Sequence, residues 1–248
     1  MDCRLIIDPP ATGAWNMAVD EALLATADRA GQGGALRFYL WDQPTLSLGY
    51  FQRSADRNSH PASLDCPLVR RSTGGGAIVH AVELTYSYAV WIEKCGERDG
   101  RSYYAAFHET LVEELAACGV EAWQWAAASE RDDLGEEAFL CFQRRAAGDV
   151  MIARAKIAGS AQRRKRHALL QHGSVLLGMS PAAPELPGIR ELSGVEVPPT
   201  ELAYGWAQRL SRRLGVNLRP AVLAPEEVEL GKRLLTQRFS DPQWTHRR

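Results

Sequence analysis

Short apolar runs divide the first part of the chain into strands and one helix. Runs at Cys3–Ile7, Leu36–Leu40 and Thr45–Leu48 predict strands. Apolar residues at helical spacing predict a helix over Asn16–Thr26. A longer run, Glu83–Trp91, alternates in the manner of a strand with one buried face. The first third of the chain therefore combines one helix with several strands.

The middle of the chain continues with a helix, a loop and strands. Apolar residues that recur every fourth position predict an amphipathic helix over Ser102–Ala117. A strand over Val120–Trp125 and a polar loop over Ala126–Glu137 follow. A strand over Asp149–Arg154 then leads to a turn at Ala155-Lys156.

The segment Lys156–Leu177 has the pattern of a hairpin, and the chain becomes helical after it. Small residues follow the lysine on the first strand, and His172 lies on the second. Helices are predicted over Glu201–Leu214 and Glu226–Leu235, after a proline-rich connection. We expect one domain over residues 1–248, with a helical C-terminal part from about residue 180.

Composition excludes several classes of protein. The 248 residues are 46% hydrophobic and 24% charged with net charge −1, so bulk charge favours neither nucleic acid nor membrane as a partner. Five cysteines are scattered without a CxxC pair, which predicts neither a disulfide framework nor a metal site. The N-terminus has no signal-peptide pattern, and we expect a cytoplasmic protein.

The segment Arg70–His80 places two arginines before three consecutive glycines. The glycines at 74–76 allow positive φ and close approach of a ligand to the backbone. Exposed N–H groups beside Arg70 and Arg71 suit a phosphate or a carbonyl oxygen, whereas a plain glycine hairpin with solvated arginines is the alternative. Strands are predicted on either side of the glycines, over Leu68–Ser72 and Ala77–His80. We expect these strands and the Lys156–Leu177 hairpin to share one sheet and face a common pocket.

Cys141 lies between apolar residues after the polar loop. Most such cysteines are inert core residues. The nearby Arg144, Arg145 and a downstream lysine instead favour the thiolate form of a nucleophile. The local sequence alone leaves both interpretations open.

Several segments together carry a family resemblance. They occur in the family's order at Asn16–Leu23, Ser47–Gln52, Arg70–His80, Lys156–Gln162, Gln171–Ser174 and Arg238–Arg248. Over nearly its whole length the chain resembles the superfamily of lipoate–protein ligases, octanoyltransferases and biotin ligases. It departs from the usual pattern at Ala81 and at Arg144–Ala147.

The resemblance implies a fold and a site. The fold is α/β (α+β): a mixed, mostly antiparallel sheet with packed helices, as in biotin and lipoate ligase catalytic domains. The implied catalytic residues are Cys141 and Lys156, and no metal site is implied. The implied substrate-binding residues are Arg70, Arg71, Gly74, Gly75, Gly76, His80, Gly159, Ser160, Ala161 and His172. His80 and His172 have the alternative of being hydrogen-bonded structural histidines.

Two branches of the superfamily differ in chemistry. Cys141-Phe142 and Glu83–Ser87 resemble the transferase branch, in which a cysteine takes octanoyl from acyl carrier protein without ATP or another cofactor. The acceptor is then a lysine of a lipoyl-domain protein, such as the glycine cleavage H protein or a dehydrogenase E2 subunit. The transferase interpretation implies an octanoyl-[acyl carrier protein]:protein N-octanoyltransferase that acts in protein lipoylation.

Two alternatives remain open from the sequence. One is an ATP- and Mg-dependent lipoate–protein ligase, in which Cys141 only packs. The other is a non-catalytic regulatory relative that binds nucleic acid or protein through the basic run Arg163–His167, which the balanced net charge disfavours.

Overall fold

A mixed sheet forms the centre of the computed structural model, which describes residues 1–93, 100–126 and 138–248. The strands are β1 (Asp2–Ile7), β2 (Gly34–Tyr39), β3 (Thr45–Leu48), β4 (Leu68–Arg70), β5 (Ile78–His80), β6 (Glu83–Trp91), β7 (Trp123–Gln124), β8 (Val150–Ile152), β9 (Ala155–Arg164), β10 (Ala168–Leu176) and β11 (Asn217–Pro220). The helices are α1 (Gly13–Ala30), α2 (Gly100–Ala117), α3 (Ile189–Ser193), α4 (Pro199–Leu214), α5 (Pro225–Leu234) and α6 (Pro242–Thr245). None of the described helices is long and apolar enough to cross a bilayer.

The large sheet has the strand order β11-β1-β2-β6-β10-β9-β8-β7. Strand β1 pairs in parallel with β11 and β2, and every other pairing in this sheet is antiparallel. The expected mixed, mostly antiparallel sheet with packed helices is therefore confirmed. The predicted hairpin is present as β9 and β10, with Gly159 opposite Ser174 and Ser160 opposite Gly173.

Helices cover both faces of the large sheet. The rings of Tyr86 and Tyr88 on β6 pack against Phe107 of α2, and Tyr86 also packs against Trp206 of α4. On the other face, Ala89 shares a core cluster with residues of α1. The interpretation of β6 as half-buried is therefore wrong: eight of its nine residues are buried, because both of its faces are covered.

The glycine segment belongs to a second, smaller sheet. This sheet has the order β4-β3-β5, with β3 parallel to β4 and antiparallel to β5. The expectation of one sheet shared with the β9–β10 hairpin is therefore wrong. The strands on either side of the glycines are three residues long and take β3 as their common partner, so they neither pair with each other nor join the hairpin.

Other predicted elements shift at their ends. Helix α1 starts earlier than predicted, where the Thr12 hydroxyl accepts from the Trp15 amide, and it ends at Gly31 with φ +74°. The turn before β9 lies at Ala153–Arg154, so Lys156 is inside a strand and not in a turn. The predicted loop at Ala126–Glu137 lies outside the described residues except for its first residue.

Candidate active site

A cavity lies where the two sheets meet. One wall comes from the glycine segment and β5, and the opposite wall comes from β9 and β10. The site residues predicted from the sequence that line this cavity are Arg71, Gly74, Gly75, His80, Cys141, Lys156, Gly159, Ser160, Ala161 and His172. Gly75 is exposed, whereas Lys156 and His172 are buried, so the glycine segment forms part of the mouth. The common pocket predicted from the sequence therefore exists, although two sheets build it.

Cys141 reaches this cavity through direct backbone contact with the glycine segment. It begins a short 3-10 turn, and its amide donates to the carbonyl oxygen of Ala77 at 2.7 Å. In return, the Ala77 amide donates to the carbonyl oxygen of Phe139 at 3.0 Å. A Cβ atom on Gly76 would lie 2.9 Å from the Cys141 nitrogen, so only glycine admits this approach.

Lys156 connects the thiol to a buried carboxylate. Its Nζ lies 3.9 Å from Cys141 Sγ and 2.8 Å from Asp149 Oδ2. Both side chains of the ion pair are at most 5% exposed. The Asp149 carboxylate also accepts from the Tyr104 hydroxyl at 2.9 Å and from the Ala146 amide at 2.7 Å. The carboxylate is thus fixed on three sides, and it fixes the ammonium beside the sulfur.

Gly159 makes room for this ion pair. A Cβ atom there would lie 2.6 Å from Lys156 Cε and 3.0 Å from Asp149 Oδ1. The small residue on β9 that the sequence indicated as a ligand contact therefore also leaves space for the lysine side chain.

The two arginines before the glycines bond to the protein itself. Arg71 donates to Ser47 and to the carbonyl oxygens of Gly74 and Gly76, at distances of 2.6–3.2 Å. Burial lowers the pKa of its guanidinium. Arg71 therefore holds the glycine segment in its curved path from inside the cavity wall.

Arg70 lies outside the residues that line the cavity. Its guanidinium donates to the carbonyl oxygens of Gly49, Tyr50 and Gln52 and, through Nε, to that of Thr245. This buried side chain joins the loop after β3 to the C-terminal helix α6. Gly76 also does not line the cavity, and its contact is with the Cys141 backbone.

The two pocket histidines have both ring nitrogens engaged. His80 Nδ1 lies 2.7 Å from the Glu83 carboxylate, and its Nε2 lies 2.7 Å from the Ser47 hydroxyl. The ring also stacks on Trp41, with centroids 3.8 Å apart. Burial lowers the pKa of His80 and outweighs the opposing effect of Glu83. A neutral ring that donates from Nδ1 to the carboxylate then accepts at Nε2 from Ser47.

His172 has the same arrangement with other partners. Its Nδ1 lies 3.0 Å from Asp20 Oδ2, and its Nε2 lies 2.7 Å from the Thr73 hydroxyl. Burial opposes ionisation of Asp20 most strongly, but the His172 hydrogen bond and the Arg37 charge hold the pKa of Asp20 below its usual value. Both histidines thus connect neighbouring segments of the cavity wall through hydrogen bonds.

Ser160 belongs to a hydrogen-bond chain with a fixed direction. His108 Nδ1 donates to the Gly148 carbonyl oxygen at 2.6 Å, so its Nε2 must accept from Ser160 at 2.6 Å. Burial lowers the pKa of His108 to about 4, which keeps the ring neutral. The Ser160 oxygen in turn accepts from Tyr86, which accepts from Gln171. The Ser160 hydroxyl therefore donates its one hydrogen bond to His108 Nε2.

Three residues of this site were missed in the sequence. Asp149 was recognised only as the start of a strand, and Tyr104 and His108 only as parts of a helix. An aspartate directly before the apolar triplet Val150–Ile152 is a signal of a buried carboxylate, because a charge there needs a partner. The helix positions carry no comparable signal. Among the described residues no group of three metal-ligating side chains is close enough to hold a metal ion.

The family follows from comparison with known proteins. The model of the lipoyl protein ligase A/B catalytic domain matches residues 12–186. The chain belongs to this family. It is 32% identical to Octanoyltransferase LipM from Kyrpidia tusciae, over 99% of this chain and 98% of that protein. The resemblance described above leads us to expect the transferase nucleophile at Cys141.

Solved structures of the family share the fold. The putative lipoate protein ligase Ta0514 from T. acidophilum, with bound lipoic acid, superposes with a TM-score of 0.80 at 22% identity. The superposition covers 99% of this chain and all of the other. A structure of a bi-partite lipoate protein ligase and its E2 lipoyl domain, from Thermoplasma acidophilum, has a TM-score of 0.76 at 21% identity and covers 99% and 96% of the two chains.

Proposed function

We propose that this protein transfers an octanoyl group, through a thioester on Cys141, to a lysine of a lipoyl-domain protein. The observation that carries the proposal is the placement of Cys141 3.9 Å from a buried lysine at the wall of a cavity. The similarity to an octanoyltransferase over nearly the full length supports the same acyl group. We expect acyl carrier protein as the donor and no requirement for ATP.

In the first step the Cys141 thiolate attacks the carbonyl carbon of the donor thioester. The ammonium of Lys156 stabilises the thiolate before attack, since a positive charge beside sulfur favours its ionised form. The new carbon–sulfur bond forms as the bond to the donor sulfur breaks. Lys156 gives its proton to the leaving donor thiolate, which departs as a thiol, and the lysine becomes a neutral amine.

In the second step the acceptor amine attacks the acyl-enzyme. The carbon–nitrogen bond forms, Cys141 leaves as a thiolate, and the proton from the acceptor nitrogen goes to the Lys156 amine. The ammonium–thiolate pair is then restored. An amide replaces a thioester in this step, so the overall transfer is downhill without a nucleotide.

The cavity has an apolar lining that suits a hydrocarbon chain. Met17, Ile78, Phe142 and Ala161 line it together with the glycines. Burial of each methylene contributes about 0.8 kcal/mol to binding. An eight-carbon chain therefore gains affinity from this wall, while its carbonyl stays beside Cys141.

The competing function is ATP-dependent lipoate ligation. In that case Lys156 would contact an acyl-adenylate, and Cys141 would only pack. The position of Cys141 favours the transferase, because its sulfur lies in the cavity lining 3.9 Å from Lys156 Nζ, whereas the ligase gives this cysteine no role. The non-catalytic alternative predicts no acyl adduct and no product at all.

Intact-mass spectrometry tests the proposal directly. The protein is incubated with octanoyl-acyl carrier protein without ATP, and we expect an octanoyl adduct that peptide mapping assigns to Cys141. Cys141→Ser should lose the adduct and most of the turnover, because a serine hydroxyl is a much weaker nucleophile at neutral pH. Cys118→Ser, which changes a half-buried cysteine away from the cavity, should behave as the wild type. Product formation by Cys141→Ser from free lipoate and ATP would overturn the proposal in favour of the ligase.

A further inference from the structure

We propose that a cluster of arginines beside the cavity mouth docks the acidic face of the carrier protein that delivers the acyl thioester. The inference rests on the proposed transfer function and names the surface that receives the donor. This arginine surface is made of Arg163, Arg238, Arg247 and Arg248 with the rings of Tyr50, Phe51 and Trp244.

Aromatic rings hold two of the arginines together. The guanidinium carbon of Arg238 lies 3.7 Å from the centroid of Trp244. That of Arg247 lies 4.8 Å from the same ring and 4.4 Å from the ring of Tyr50. Cation–π contacts attract a guanidinium without consuming its hydrogen-bond donors. Both cations are therefore positioned and still able to bind an anion.

The arginine surface reaches the cavity on two sides. The guanidinium of Arg248 lies 5.5 Å from the ring of Phe51, which is 66% exposed. The same ring lies 3.8 Å from the place that a Cβ atom on Gly74, in the cavity wall, would occupy. On the other side, Arg163 follows the cavity residues of β9 and donates to the carbonyl oxygen of Ser72 at 3.1 Å. A protein bound here would lie next to the mouth.

Among the described residues, two carboxylates only partly balance the positive charge of the arginine surface. Glu21 is shared, at 3.6 Å from Arg163 and 3.5 Å from Arg238, and its side chain is only 6% exposed. Asp241 borders the same area, where its carboxylate accepts from the Gln243 amide. In the described part of the chain, no carboxylate lies within 4 Å of Arg247 or Arg248.

This imbalance is local, since the whole chain has a net charge of −1. A concentrated positive patch on a nearly neutral protein steers and orients an acidic partner. Four arginines also provide planar donors suited to carboxylate and phosphate groups.

The position of the arginine surface favours the donor over the acceptor. An acceptor must place a lysine side chain against Cys141 inside the cavity, so it has to cover the mouth itself. A carrier that holds its acyl group on a long flexible arm can dock to one side and reach in. None of the four arginines is among the described residues that line the cavity, so the arginine surface suits the second geometry.

Single-turnover acylation tests this assignment. Formation of the octanoyl adduct on Cys141 is followed by mass spectrometry at increasing concentrations of octanoyl-acyl carrier protein in low salt. For the double variant Arg247→Glu and Arg248→Glu we expect the half-saturating donor concentration to rise at least about tenfold, with a similar maximal rate and a weaker dependence on salt. The double variant Arg212→Glu and Arg219→Glu, an equal charge reversal at exposed positions of α4 and β11, should match the wild type.

Two smaller acyl donors, together with a separate measurement of transfer from the acyl-enzyme to the lipoyl domain, distinguish the possible outcomes. Acylation by octanoyl-pantetheine, which has no carrier and no phosphate, should be the same in the double variant and the wild type. An equal loss with octanoyl-coenzyme A would overturn the assignment, because the arginines would then hold only a phosphate. A loss confined to transfer from acyl-enzyme to the lipoyl domain would overturn it in favour of acceptor docking. If octanoyl-pantetheine acylates Cys141 and the carrier kinetics are unchanged in the variant, the docking inference fails while the proposed function stands.

Discussion

Lys156 has two acidic neighbours, the Asp149 carboxylate and the Cys141 thiol, which compete for its ammonium group. The Asp149 carboxylate, 2.8 Å away, is its permanent partner, and the Cys141 sulfur, 3.9 Å away, becomes a second anion only when it ionises. A buried ammonium without a partner is costly, so the carboxylate keeps the lysine in place and charged between turnovers. The carboxylate itself is held by Tyr104 and by a backbone amide. Asp149 therefore acts as a positioning residue through Lys156.

Asp149→Asn should remove this control with little change in side-chain volume. We expect kcat for octanoyl transfer to fall on the order of 10²-fold, with KM for the donor nearly unchanged. The unfolding free energy should fall by about 3–5 kcal/mol, because the Lys156 ammonium loses its buried counter-ion. Urea denaturation and steady-state kinetics measure the two effects.

Tyr104→Phe is the matched control for that variant. It removes one neutral donor to the same carboxylate and keeps the ion pair, so we expect a stability loss of only about 0.5–1.5 kcal/mol. Wild-type kcat in Asp149→Asn would contradict the role given to Asp149.

At the scale of elements, the glycine segment works as a template for the cysteine loop. Arg71 donates hydrogen bonds to the carbonyl oxygens of Gly74 and Gly76. Gly75 takes a φ of +93°, which residues with a side chain rarely adopt. The Cys141 backbone then lies directly against Gly76 and Ala77. The position of the Cys141 thiol thus depends on a stretch of backbone more than sixty residues earlier in the chain.

Two glycines of the segment, Gly74 and Gly76, should respond differently to the same substitution. A Cβ on Gly76 would meet backbone atoms of Cys141 at 2.9–3.0 Å, so Gly76→Ala should displace the thiol and reduce the rate of acyl-enzyme formation at least about tenfold. A Cβ on Gly74 would meet only the ring of Phe51 at 3.8 Å, which is an ordinary contact. Gly74→Ala should therefore keep near-wild-type rates. Equal rates in the two variants, measured by rapid-quench mass spectrometry, would contradict the template role.

For the whole molecule, buried neutral histidines couple folding to pH. His108 joins α2 to β9 through Ser160, and His80 joins the small sheet to Glu83 of β6. Burial lowers the pKa of both, to about 4 for His108. Between about pH 6.5 and pH 4 the unfolded chain therefore binds protons at His108 that the folded chain excludes. This contribution to stability is complete above about pH 6.5 and is lost as the pH falls towards 4.

Comparing the unfolding free energy at pH 7 and pH 4.5 checks this coupling. Wild-type protein should lose stability over this range, and His108→Gln, which cannot titrate there, should lose about 2–3 kcal/mol less. The variant is expected to be less stable than the wild type at pH 7, because glutamine does not reproduce both hydrogen bonds of the ring. Parallel losses in the two proteins, measured by urea denaturation, would show that His108 is not the source.

Local patterns predicted the parts of the site that are continuous in sequence. The β9–β10 hairpin, the strands beside the glycines and the positions of Cys141 and Lys156 follow from periodicity and from the family resemblance. What the sequence did not reveal depends on partners far along the chain. The pairing of β4 and β5 with β3 is one case, and the buried partners of Lys156 are another.

The edge strand β11 shows a second limit of sequence patterns. It is four residues long, ends in Pro220 and has no buried residue, so it lacks the apolar signal of a strand. Its parallel pairing with β1 is set by where α4 delivers the chain. Such an element is defined by its neighbours and not by its own residues.

The fully engaged histidines of the cavity also bear on the lifetime of the acyl-enzyme. A water molecule hydrolyses a thioester faster when a free base activates it, but both nitrogens of His80 and of His172 already have partners. Among the described histidines of the cavity, none offers such a base. Lys156, 3.9 Å from the sulfur, is then the base that the proposed mechanism leaves beside the acyl group, and water and the acceptor amine compete for it.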